Sequence, residues 1–81
     1  MIRVRLFASL REMAGASRLE VEAADVGQVL DELSKRLGSK FDRIMSAGTI
    51  VVDGETVGRE RRLLEGEEVA LLPPVSGGRP R

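Results

Sequence analysis

The chain has 81 residues, 42% of them hydrophobic, with 13 basic and 13 acidic side chains and no formal net charge. That length is one domain with a modest core, and the balanced charge gives no general attraction to nucleic acid. Cys, His, Trp and Tyr are all absent, which excludes disulfides, a Cys/His zinc site, a thiol nucleophile and a histidine general base.

Ile2, Val4 and Leu6 alternate with Arg3 and Arg5, the period of a half-buried strand. Phe7 is out of phase with the apolar set and therefore points to the other face of the sheet. Ser9 and Glu12 have capping-box spacing and Gly15 suits a helix stop, so a short helical turn is expected between them. Leu19 and Val21 alternate with charged neighbours as a second strand, facing inward. Asp25 is placed to cap a helix, with Gln28 three residues on. Val26, Val29, Leu30, Leu33 and Leu37 then form one apolar stripe, and Gly38 ends it. Phe41, Ile44 and Met45 have the spacing of one more helical turn.

Thr49-Ile50-Val51-Val52 is β-rich and Asp53-Gly54 is a tight-turn signal, so residues 55–57 are expected to return as a short strand. Residues 60–64 read as a polar connector ending in Leu63 and Leu64, two leucines expected to need burial. Arg59, Arg61 and Arg62 form a local basic cluster, read as a solvated connector in preference to a landing point for an acidic partner. After a Glu65-Gly66-Glu67 turn, residues 68–72 form the last strand, and Pro73-Pro74 ends it by removing two backbone donors. Residues 1–75 are thus one α+β domain, a mixed sheet crossed by one main helix. Residues 76–81 are expected to be a flexible tail. No apolar run approaches the ~20 residues of a membrane span, and the start lacks a signal peptide's apolar segment. A cytoplasmic location, with no membrane and no nucleic-acid partner, is the expectation.

Three segments carry a family resemblance. They are Val4-Arg5-Leu6-Phe7-Ala8 with Leu10-Arg11-Glu12 and Gly15; Val51-Val52-Asp53-Gly54-Glu55; and residues 64–78, which close on Leu71-Leu72-Pro73-Pro74-Val75-Ser76-Gly77-Gly78. Together they resemble the ubiquitin-like β-grasp fold and, within it, the small subunits of molybdopterin synthase, the MoaD-like sulfur carriers. The resemblance implies that Gly78 is the reactive position and Gly77 its companion. A ubiquitin-activating-like adenylyltransferase would use ATP to adenylate the glycine carboxylate, and sulfur would replace the adenylate to give a thiocarboxylate. The tail would then enter the synthase's large subunit, two small subunits flanking a dimer of large ones, to deliver sulfur for dithiolene formation. The chain itself would bind no cofactor and no metal, and would act as a component of a complex rather than as a catalyst alone.

Glycines without β-carbons suit a narrow channel, while Pro73 and Pro74 stiffen the root of the tail. Phe7, Leu72, Pro73, Pro74, Val75 and Ser76 are the expected partner-binding residues. The chain departs from the family pattern in continuing with Arg79-Pro80-Arg81, which leaves Gly78 in an amide bond. Removal of that tripeptide by a protease is the favoured expectation; a diverged paralogue that binds without carrying sulfur is the alternative. A carrier for another pathway (thiazole or amino-acid biosynthesis) and a ubiquitin-like protein modifier are the remaining rivals.

Overall fold

The computed structural model describes residues 1–74. The expected tail, with Val75, Ser76, Gly77 and Gly78, lies outside the described residues. Five strands, β1 (Ile2–Leu6), β2 (Arg18–Val21), β3 (Thr49–Val52), β4 (Glu55–Thr56) and β5 (Glu68–Leu72), are joined through helices α1 (Ser9–Ala14), α2 (Val26–Leu37) and α3 (Ser39–Met45). They form one mixed sheet in the order β2-β1-β5-β3-β4. The first and last strands run parallel at its centre, Val4 beside Val69 and Leu6 beside Leu71, and every other pairing is antiparallel. This is the expected β-grasp architecture.

The inward set of each strand and the stripe of α2 make one core. Ile2, Val4, Leu6, Val21, Val52, Val69 and Leu71 meet Val26, Val29, Leu30 and Leu33 from the helix, with Leu10 and Phe41 closing the sides. No polar or charged residue is buried among the described residues, so the interior is held by aliphatic burial, at about 1.5–3 kcal/mol for each large side chain.

Asp25 caps α2 as expected, its carboxylate accepting from the Gln28 amide at 2.8 Å. The Gln28 side chain reaches back to the Ala24 amide at 2.7 Å. The Asp53-Gly54 turn has φ of 57° and 80°, the left-handed pair that a two-residue hairpin of this hand demands. Two expectations fail. α1 begins one residue earlier than Ser9 implied: Ala8 is its N-cap at φ 51°, and no side chain caps it. Ser9 already sits in the first turn, where its hydroxyl is past the capping position. Leu64 is 71% exposed, because only Leu63 is drawn inward, its amide donating to the Ala24 carbonyl at 2.9 Å. The described residues contain no helix long and apolar enough to cross a membrane.

Candidate functional site

The parallel pairing of β1 with β5 fixes where the tail begins. Leu6 lies beside Leu71, so Phe7 and Leu72, the next residues of each strand, reach the same end of the sheet and the same outer face. Both are half-buried, as is Pro73, while Pro74 is exposed. The Arg5 guanidinium lies over Phe7, 5.1 Å from the ring centre, a cation–π distance. Of the expected partner-binding residues the structure therefore brings Phe7, Leu72, Pro73 and Pro74 to one end; Val75, Ser76, Gly77 and Gly78 are beyond the described residues.

Register adds residues that strand phase alone does not assign to the site. Val51 pairs with Ala70 and Thr49 with Leu72, so Val51 and Ala70 extend the apolar strip of Phe7 and Leu72 across the outer face. Among the described residues no helix covers this face: its apolar members are half-buried and its charged members half-buried or exposed. Gly48 is a further addition. A β-carbon there would stand 2.6 Å from the Leu72 carbonyl oxygen and 3.2 Å from the Met45 sulfur. The chain before β3 thus passes close beneath the last residue of β5, and only glycine permits the approach.

The Arg cluster divides by role. Arg61 makes a two-pronged contact with Glu67, both N–O distances 3.3 Å, and Glu67 also accepts from the Leu64 amide at 2.9 Å. That backbone bond first, and the arginine second, hold the Glu67 carboxyl below the usual carboxylate range. Arg59 pairs with Asp31 at 3.0 Å. The backbone of this connector receives the start of α2, with the amides of Val26 and Gly27 donating to the carbonyls of Arg61 and Arg59. Arg59 and Arg61 are therefore fixed to the body, which supports reading the cluster as connector rather than landing point.

A groove of about 490 Å³ lies between α2 and α3 over Leu30, Phe41, Met45 and Ile50. Its polar rim is engaged internally: Asp31 by Arg59, and Asp42 by the Ser34 hydroxyl at 2.9 Å. Among the described residues no group of three or more acidic side chains is placed to hold a metal ion.

Comparison with known proteins supports the same reading. The family model described as "ThiS family" matches residues 4–78. The molybdopterin synthase sulfur carrier subunit of Escherichia coli (strain K12) is 36% identical over 83 residues, covering 96% of this chain and 100% of that protein. The solution structure of small archaeal modifier protein 1 from Methanosarcina acetivorans has a TM-score of 0.83 at 28% identity, with 95% of each chain covered. At 20% identity, a complex of subunits 1 and 2 of the molybdopterin-converting factor from Helicobacter pylori shares the fold, with a TM-score of 0.70 over 95% of this chain and 97% of that one. With the family model matched from the first strand to the second glycine of the tail, and the expected mixed β-grasp sheet found, the chain belongs to the ThiS family.

Proposed function

We propose that this chain is a sulfur carrier for molybdopterin synthase, bearing sulfur as a thiocarboxylate on Gly78 after removal of Arg79-Pro80-Arg81. One observation carries the reading. The family match stops at Gly78, β5 stops at Leu72, and only Pro73-Pro74-Val75-Ser76 separates the sheet from the glycine pair. The full-length similarity to the Escherichia coli carrier subunit supports the pathway.

The chemistry asks little of side chains, in keeping with a chain that has no Cys and no His. Hydrolysis of the Gly78–Arg79 amide frees a carboxylate. An activating enzyme joins that carboxylate to the α-phosphate of ATP, releasing pyrophosphate. Sulfide (HS⁻) from a donor then attacks the carbonyl carbon, AMP leaves and the sulfur loses its proton, so a thiocarboxylate replaces the carboxylate. The outer face, with Phe7, Val51, Ala70 and Leu72, is the docking surface for the large subunit, and Pro73-Pro74 aim the tail from its edge. The test is a chain ending at Gly78, incubated with the activating enzyme, ATP and a sulfur source. Its mass rises by the difference between sulfur and oxygen, while the 81-residue chain does not change. A chain ending at Gly78 that never gains this mass refutes the proposal.

A second reading, a modifier joined to lysines through Gly78, is favoured by the likeness to the Methanosarcina acetivorans modifier. It predicts covalent ladders on denaturing gels that survive reductant, in cells making the chain ending at Gly78.

A further inference from the structure

Strand pairing leaves one charge arrangement on the outer face without an internal explanation. In the β1–β2 register Arg3 stands opposite Glu20, but Arg5 stands opposite Arg18. Like charges directly opposite on a ladder repel. Arg5 is turned away from its partner, with its guanidinium over Phe7 and its Nε 3.8 Å from Glu68 on β5. Arg18 is exposed on the edge strand β2 and takes part in no ion pair among the described residues. Phe7 lies one step farther along the same face, so this pair of cations borders the apolar strip of Phe7, Ala70 and Leu72.

We propose that Arg18, acting with Arg5, is a specificity contact that receives an Asp or Glu carboxylate from the large subunit at the border of the Phe7 patch. The inference rests on the docking reading given above and adds the chemistry of the partner's surface. A carboxylate held by the Arg18 guanidinium accepts charge-assisted hydrogen bonds from it, and the positive charge of Arg5 across the ladder adds to the attraction. It converts a repulsion present in the free chain into an attraction in the complex. An apolar patch bordered by such a charge contact combines a buried anchor with steering and register. The competing explanation is that Arg18 only guards an exposed edge strand against pairing with another chain; a guard has no effect on how the large subunit binds.

The experiment uses the chain ending at Gly78, whose folded body of residues 1–74 is intact, titrated calorimetrically with the molybdopterin synthase large subunit of the same organism. Arg18→Ala, Arg18→Glu, Arg18→Lys and Phe7→Ala are compared at low and at several-fold higher salt. The expected result is at least tenfold weaker binding for Arg18→Glu at low salt, with the gap narrowing as salt screens the contact. Arg18→Lys keeps most of the affinity. The melting midpoint of unbound Arg18→Ala equals or exceeds that of the parent, because a repulsion is removed. Parent-like binding by Arg18→Glu, beside weakened binding by Phe7→Ala, overturns this inference and leaves the docking reading standing. A lowered melting midpoint for Arg18→Ala also overturns it, by assigning Arg18 a structural role. Failure of the parent to bind, or indifference to both Phe7→Ala and Arg18→Glu, overturns the docking reading and this inference with it.

Discussion

Replacing Gly48 by alanine tests whether the body of the protein sets the position of its own tail. The added β-carbon would meet the Leu72 carbonyl oxygen at 2.6 Å, inside the 3.0 Å that real Cβ atoms respect. The obstacle is backbone, not the far end of a flexible side chain, so it cannot rotate away. The Met45 sulfur at 3.2 Å is a second tight contact, on a side chain that must give by a few tenths of an ångström. Either Thr49 draws back from Leu72, loosening the first pair of the β3–β5 ladder, or the end of β5 is lifted. Overpacking of this kind costs about 1–3 kcal/mol, which for a domain of this size lowers the melting midpoint by roughly 5–20 °C.

The functional consequence is local, because the residue displaced is the last one before Pro73. Gly48→Ala is expected to slow sulfur loading of the chain ending at Gly78, measured by mass spectrometry against time, at a temperature where the variant is fully folded. Gly54→Ala is the control. Unlike Gly48 it has a positive φ, 80°, but nothing lies within 4 Å of the new β-carbon and the strain sits at the far end of β3. A fully folded Gly48→Ala that loads at the parental rate, with an unchanged melting midpoint, refutes the argument that close approach at Leu72 is why glycine stands there.

Gly54→Ala should itself cost about 1–2 kcal/mol from left-handed backbone strain, seen in urea unfolding with loading unaffected. Asp25→Ala removes the side-chain cap of α2 and should cost about 1 kcal/mol, with Asp25→Ser recovering most of it. Glu67 has a folded-state pKa below its ordinary value of 4.5. Its contribution to stability is therefore complete above that pH and is lost as the pH falls through the lowered value. Glu67→Gln should give a melting midpoint that depends less on pH in the acid range than the parent's; parallel curves throughout would exclude a role for this carboxylate. Gly78→Ala should leave the melting midpoint unchanged while strongly impairing loading or delivery of sulfur, read by mass and by product formation with the large subunit.

Local chemistry in the sequence was enough to place most elements. The Asp25 cap, the Gly38 stop, the Asp53-Gly54 hairpin and the bounds of β3 and β5 all depend on residues within a few positions of one another. What escaped depends on distant partners. Ser9 and Glu12 have the spacing of a capping box, yet Ala8 takes the capping position through its positive φ, a backbone choice imposed where β1 turns into α1. Leu63 and Leu64 look alike in sequence, and only the folded chain shows that Leu63 joins the core while Leu64 stays exposed. Phe7 was legible as an outer-face residue from strand phase and Leu72 as a candidate partner contact, but Val51 and Gly48 join the site only once β3 is placed beside β5, a register that no local pattern records. The opposition of Arg5 and Arg18 is likewise invisible until β1 and β2 are aligned.

The parallel β1–β5 pair also limits where the proposed chemistry can happen. Because both strands finish at the same end of the sheet, a partner that holds Phe7 and Leu72 holds the root of the tail as well. Six residue steps separate Leu72 from Gly78, and a fully extended chain covers at most about 20 Å in that distance. Pro73 and Pro74 cannot donate to a ladder, so β5 cannot shorten this reach by extending its pairing with β3 through those two residues. On the proposed function, the active site that Gly78 would serve lies within about 20 Å of the partner surface that would cover the outer face. In that proposal, binding energy gathered on a rigid sheet would position a carbonyl carbon that no side chain of this protein needs to touch. Under the proposed function, that division of labour would account for a chain that has neither cysteine nor histidine.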